Sequence, residues 1–426
     1  MLDREKAILV GLDRPGQTGD IESAMAELDL LAETAGAEIV AQVIQRRAAP
    51  DPAYYTGPGK ARELADMVLQ LKITLIIYMD ELSPSQVRYL EQLTEAKIVD
   101  RTALILDIFA RRARSREGKL QVELAQLQYL LPRLMGLGKQ MSRLGGGIGT
   151  RGPGETKLEA DRRVIRRRIT VLEQEIKDLQ CHRAIYRQRR RRNRMPVAGL
   201  VGYTNAGKSK LINALTGSDL YTEDKLFATL DPSTRRGTLP GGKFVLYTDT
   251  VGFIKYLPKT LETAFKATLE EIATADLLLH VVDLNHPDYE NQISVVRSHL
   301  ARITADYFTR ELLIFNKIDL FEENIDYSRL QRQYPGSCFV SARTHQGLED
   351  LRQMIAGMLE WSYHQIKIYL PYTESALFGQ LKQFGQIISL EYLESCMAIE
   401  TRVEPALADK LYIYAAPPGA ADHNTI

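Results

Sequence analysis

Apolar residues fall at two periods along the first hundred positions. Short, nearly continuous runs at 7–12, 38–45 and 73–79 predict buried strands. Between them, 21–34, 60–71 and 83–94 carry apolar residues every three or four positions, the spacing of helices packed by one face. Gly36 closes the first helix, and Ser83 with Pro84 opens the third. This βαβα order predicts a small parallel sheet with helices on it over residues 1–100. Residues 101–195 change character. Leu120, Leu124, Leu127, Leu131 and Leu134 share one helical face, and Ile165, Ile169, Leu172, Ile176 and Leu179 form a second stripe, which predicts an antiparallel helical hairpin. From 196 to 360, strands are expected at 197–201, 243–248, 276–283, 311–315 and 337–340, with a helix after the first. Residues 361–426 read as a small α+β domain with strands at 366–370, 387–392, 397–403 and 410–414, a helix at 375–384, and a disordered tail from Pro417.

Composition narrows this picture. A chain of 426 residues suggests about three domains, and 45% hydrophobic with 26% charged residues is ordinary for a soluble protein. No apolar run approaches the ~20 residues that span a bilayer. Asp3, Glu5, Asp13 and Asp20 make the first residues unlike a signal peptide. Cys181, Cys338 and Cys396 are scattered, which argues against a zinc site or disulfide framework and for a reducing, cytoplasmic setting.

The net charge of +1 conceals a segregation. Residues 101–195 hold 24 Lys and Arg against nine Asp and Glu, a surplus of 15, so the rest of the chain sums to −14. So long a one-signed segment is the footprint of a polyanion such as RNA. Within it, eight of residues 136–157 are glycine, interleaved with Lys139, Arg143, Arg151 and Lys157. Packed helices need only a short connection, so a long one is functional or disordered. Six arginines within 187–194 exceed what a helix C-terminus uses and suit a phosphate backbone. By contrast, Gly57-Pro58-Gly59-Lys60 lacks the spacing of a phosphate loop and reads as a helix-entry turn.

The chemistry is concentrated after Pro196. Gly202-Tyr203-Thr204-Asn205-Ala206-Gly207-Lys208-Ser209 follows a strand and opens a helix, the context in which G-x-x-x-x-G-K-[ST] cradles phosphates. Lys208 is expected to reach the β- and γ-phosphates and Ser209 to ligate Mg²⁺. Asp249-Thr250-Val251-Gly252 ends another strand, with Asp249 placed to hold Mg²⁺ through water and the Gly252 N–H placed at the γ-phosphate. Asn316-Lys317-Ile318-Asp319 resembles the guanine reader of GTPases: Asp319 accepts from N1–H and the 2-amino group, Asn316 bonds the base edge, and the Lys317 stem covers its face. Ser341-Ala342-Arg343 resembles the backbone that meets guanine O6. Together these elements select GTP over ATP, since adenine lacks donors for Asp319. Between phosphate loop and Asp249, Phe227-Ala228-Thr229-Leu230-Asp231 belongs to a first switch. Thr229 is the expected second Mg²⁺ ligand, with Thr234 as rival. The expected fold class is α/β: a doubly wound, mostly parallel P-loop GTPase domain, an N-terminal α/β domain with a basic helical hairpin, and a small C-terminal α+β domain.

Phe227 to Asp231, Asp249 to Phe253 and the stretch from Gly145 to Lys157 together resemble the HflX family of translation-factor-related GTPases, over essentially the whole chain. The resemblance implies hydrolysis of GTP to GDP and phosphate, binding to the large ribosomal subunit and its rRNA, and splitting of stalled 70S ribosomes by a protein that is monomeric when free. Lys210 stands where the family usually has Thr, and Ile212 where Phe is common. Phe253 occupies the place where Ras-type GTPases carry a water-orienting glutamine. For Asn205 two readings stand: a ligand to K⁺ beside the phosphates, or a hydrogen bond within its own loop. The alternatives for function are a tRNA-modification or ribosome-assembly GTPase, and a nucleotide-gated protein-binding adaptor.

Overall fold

Strand β1 (Glu5–Asp13) is buried without a break from residue 7 to residue 12, because helices cover both of its faces. It is central in a parallel sheet of order β2-β1-β3-β4, with β2 (Ala37–Arg46), β3 (Leu75–Tyr78) and β4 (Lys97–Asp100). Ala7, Leu9, Leu75 and Ile77 face α1 (Ile21–Ala35) and α4 (Arg101–Arg112), while Ile8, Val10, Ile76 and Tyr78 face α2 (Pro58–Leu71) and α3 (Pro84–Thr94). Ser83 caps α3 in a reciprocal box with Gln86, as the sequence predicts, and Gly57 precedes α2 as a plain helix entry. The computed structural model describes residues 5–15, 21–134, 153–192, 195–218, 226–227, 233–255, 269–304, 306–321, 326–359, 364–403 and 405–415.

Two features of this unit lie outside the sequence expectation. Strand β4 is only four residues long, and α4 follows it directly, capped by the Asp100 carboxylate on the Ala103 N–H at 2.9 Å. Leu104, Ile105, Ile108 and Phe109 then pack α4 onto the first sheet, so the core of this unit continues past residue 100. Helix α5 (Arg116–Arg133) and the 40-residue α6 (Pro153–Arg192) form the expected hairpin, seamed by Leu120, Leu124, Leu172 and Ile176. Arg168 forks onto Glu123 at 2.7 and 2.9 Å across it. Most of the glycine-rich stretch, 135–152, and the side chains of the arginine run lie outside the described residues.

The second sheet has the order β10-β9-β8-β5-β7-β6, from β5 (Val197–Gly202), β6 (Ser233–Leu239), β7 (Lys243–Asp249), β8 (Leu277–Asp283), β9 (Glu311–Asn316) and β10 (Cys338–Phe339). All neighbours are parallel except the edge pair β6 and β7. Helices α7 (Lys208–Thr216), α8 (Tyr289–Ile303), α9 (Tyr327–Gln333) and α10 (Leu348–Met358) complete a doubly wound unit. The third sheet is antiparallel, β11-β13-β12, from β11 (His364–Pro371), β12 (Gln386–Tyr392) and β13 (Cys396–Val403), with α11 (Ser375–Phe384) between its first two strands. The strand expected at 410–414 is not one: α12 (Pro405–Leu411) runs into a 3₁₀ turn at Tyr412–Tyr414. Leu407, Ala408 and Leu411 are buried at helical spacing against this sheet, and that packing decides the conformation. Among the described residues no helix is long and apolar enough to cross a membrane, and the three cysteines are free.

Candidate nucleotide site

The carboxyl end of β5 turns back on itself at Gly202, where φ is 148° and a Cβ would lie 2.2 Å from the Val281 carbonyl oxygen. Gly207 closes the loop at φ 92°, and a Cβ there would lie 2.4 Å from Asn316 Nδ2. Helix α7 then starts at Lys208, so the N–H groups of its first turn face the loop and favour an anion. Lys208 Nζ donates to the Tyr203 and Gly202 carbonyls at 2.7 and 3.2 Å. Burial pushes its pKa down to about 8, only partly offset by Asp249. Ser209 Oγ donates to Asp249 Oδ2 at 2.6 Å, and Asp249 Oδ1 accepts from the Thr250 N–H at 3.0 Å. The two hard oxygen groups expected around Mg²⁺ are therefore in contact, a donor set that suits this cation. Thr250 Oγ1 donates to the Leu200 carbonyl, and Val251 is buried in the core of the first unit.

Backbone bonds stitch the Asp249 segment to the phosphate loop. Phe253 N donates to the Gly202 oxygen at 3.0 Å and Thr204 N to the Phe253 oxygen at 2.9 Å. Gly252 is thereby pressed against the loop, and a Cβ on it would sit 2.7 Å from Thr204 Cγ2 and 3.0 Å from Lys208 Nζ. The Phe253 side chain turns into an apolar cluster with Val201, Ile272 and Val296 and stacks on His299 at 5.3 Å.

On the base side the residues expected to read guanine lie together. Asp319 Oδ1 accepts from Ser341 Oγ at 2.6 Å, and Lys317 Nζ reaches Asp283 at 2.7 Å. Ile318 is buried, Ala342 half-buried and Arg343 exposed. Asn316, expected at the base edge, is 2% exposed, and each end of its amide has a partner inside the protein. Its Nδ2 donates to the Ala206 carbonyl at 2.9 Å and its Oδ1 accepts from the Ala342 N–H at 3.0 Å. It braces the phosphate loop, the base loop and the Ser341 loop against one another.

Phe227 is buried edge-on against Phe109 of α4, with centroids 4.8 Å apart. Ala228, Thr229, Leu230 and Asp231 lie outside the described residues. Thr234, the rival to Thr229, is on β6, with its hydroxyl 3.2 Å from that of Thr248. Sequence reasoning also missed a junction between the units. Tyr203 donates to Glu27 of α1 at 2.5 Å and accepts from the Lys255 N–H at 2.8 Å. Arg101 of α4, 3% exposed, donates to Glu27 at 2.7 Å and to the Lys255 carbonyl at 2.6 Å. Nothing in the local sequence marks Glu27 or Arg101, because each is one charged residue on an amphipathic helix.

Three family profiles match the chain: GTP-binding GTPase N-terminal over residues 22–110, GTP-binding GTPase middle region over 112–190, and 50S ribosome-binding GTPase over 197–317. GTPase HflX of Caldanaerobacter subterraneus subsp. tengcongensis is 48% identical over 409 residues, covering 96% of this chain and 93% of the relative. GTPase HflX of Escherichia coli is 40% identical over 430 residues, covering 99% of this chain and all of the relative at 100%. Among solved structures, a GTP-binding protein of Sulfolobus solfataricus in complex with GDP is similar at 23% identity, over 83% of this chain and 98% of that one, with a TM-score of 0.43.

Proposed function

The chain belongs to the HflX family of GTPases, and from that premise we propose that it binds the large ribosomal subunit and separates stalled 70S ribosomes. The observation that carries this reading is the basic hairpin and its attachment. Arg183 of α6 pairs with Glu117 of α5 at 2.6 Å and with Glu270 of the nucleotide unit at 3.4 Å. These pairs join the basic hairpin to the nucleotide unit. The hairpin's rRNA contacts come from the arginines of α6 and the glycine-rich stretch, and the protein acts as a cytoplasmic monomer between encounters.

For hydrolysis each motif residue has a task. The loop and α7 N–H groups hold the β-phosphate, Lys208 neutralises the β- and γ-oxygens, and the Gly252 N–H meets the γ-phosphate. Asp319 selects guanine by accepting from its two donors. Ser209, Thr229 and a water held by Asp249 are the groups for Mg²⁺, which supplies further neutralisation of phosphate charge. Asn205, exposed and at φ 62°, is the candidate ligand for K⁺. Faster hydrolysis in K⁺ than in Na⁺ at equal ionic strength, erased by Asn205→Ala, is the expected sign of that role. Equal rates in both salts would reject it.

Sedimentation with 50S subunits and with 70S ribosomes, in a GTP analogue and in GDP, tests the whole reading. Co-sedimentation with 50S in the analogue, and loss of the 70S peak, are expected. Binding that ignores the nucleotide, or that hardly weakens with salt, would favour a protein-binding adaptor instead.

A further inference from the structure

Beyond ribosome binding, the phosphate loop holds a side chain with no assigned task. We propose that the Thr204 hydroxyl orients the attacking water during GTP hydrolysis. Thr204 is 7% exposed, and its Oγ1 is buried with no hydrogen-bond partner among the described residues. Leaving a buried hydroxyl unpaired is costly. Valine would fill the same space without that cost, so shape alone does not account for a threonine.

Its side chain lies beside the residue expected to read the γ-phosphate. The methyl carbon on the same Cβ lies 2.7 Å from where Gly252 would carry a side chain, and Lys208 Nζ lies 3.0 Å from that point. The γ-phosphate reader, the phosphate lysine and Thr204 therefore converge on one pole of the cradle. Three other hydroxyls nearby are committed. Tyr203 is bonded to Glu27, Ser209 to Asp249, and Thr250 to the Leu200 carbonyl. Phe253, which follows Gly252, is packed among apolar side chains and on His299 and has no polar atom to offer.

A hydroxyl there can accept from the water and donate to a γ-phosphate oxygen at the same time. It neither gains nor loses a proton overall. As the water oxygen bonds to the γ-phosphorus, the bond to the β,γ-bridging oxygen breaks and its electron pair leaves with GDP. One water proton passes to a γ-phosphate oxygen, so the product departs as dihydrogen phosphate. The contribution of Thr204 is alignment of the nucleophile, which the phenylalanine cannot supply.

The test compares Thr204→Val, which keeps the shape, with Thr204→Ser, which keeps the hydroxyl. Single-turnover hydrolysis, GDP affinity and retention of GDP with aluminium fluoride are measured on the full chain. Thr204→Val should slow hydrolysis roughly 10–100-fold, lose the aluminium fluoride complex and keep its GDP affinity within about twofold. Thr204→Ser should recover most of the rate and the complex. Should the valine crowd Gly252 and unfold the loop, Thr204→Ala is read in the same way. Parental hydrolysis in the valine or alanine variant overturns the proposal. So does a loss of GDP affinity that matches the loss of rate and is not rescued by serine, since that marks a structural residue.

Discussion

Lys208 closes the phosphate loop and is 7% exposed. Its ammonium has exchanged water for two carbonyls, and its pKa falls from 10.5 to about 8. The folded value lies below the unfolded one, so the cost of burying the charge is present below pH 8. It is relieved as pH rises from about 8 towards 10.5, and at this residue the free protein gains stability across that window. Phosphates reverse the balance by favouring the charged form. Near pH 8, GDP binding should therefore take up protons, measured by calorimetry in buffers of different ionisation enthalpy. The same uptake in Lys208→Met would assign the proton elsewhere. Across the cradle, Asp319→Asn should weaken GDP by on the order of 10–100-fold, a few kcal/mol, and gain affinity for xanthosine diphosphate. Unchanged GDP affinity would remove Asp319 from the base. Lys208, Ser209, Asp249 and Asp319 were legible because each stands in a short motif that carries its own chemistry. The brace made by Asn316 was not, since its partners Ala206 and Ala342 are set by the fold and neither is a motif residue.

At the scale of elements, legibility followed hydrophobic pattern. Strand β8 and helices α5 and α6 present unbroken stripes and were predicted. Strand β6 was not, because only Gly237 and Leu239 of its seven residues are buried and its ladder partner β7 supplies the rest of its order. Strand β4 is too short to show a period, and α12 was misread because Leu411, Ile413 and Tyr414 suit either conformation until Leu407 and Ala408 are placed on the sheet. The hairpin is where the elements divide their labour. Deleting residues 145–155 should abolish the effect on ribosomes and leave GDP affinity unchanged within about twofold, since no phosphate or base contact of the motif logic comes from them. Neutralising Arg189, Arg190, Arg191 and Arg192 should weaken RNA binding and lower its salt slope by about 0.7–0.9 for each phosphate no longer neutralised. Full splitting by the deletion variant, or an unchanged slope in the arginine variant, would contradict this assignment.

Over the whole molecule, the first unit grips the nucleotide unit at three places: Phe227 against Phe109, Val251 and Ile254 in the same core, and Tyr203 and Lys255 through Glu27 and Arg101. Arg101→Ala leaves the Glu27 carboxylate, 11% exposed, without its cation. It should cost about 3–5 kcal/mol, read by urea unfolding, and Tyr203→Phe about 1–3 kcal/mol. A variant of Arg101 as stable as the parent would mean that the junction is open in solution. The bond from Arg101 to the Lys255 carbonyl also spans 154 positions of the chain. At synthesis rates of about 5–20 residues per second, residue 255 is made roughly 8–30 s after residue 101. Through that interval the apolar surface that Val251 and Ile254 later cover stays open on the nascent chain. The first unit can close its own sheet early, but it must wait, sticky on one side and within reach of chaperones, for a strand order not yet translated.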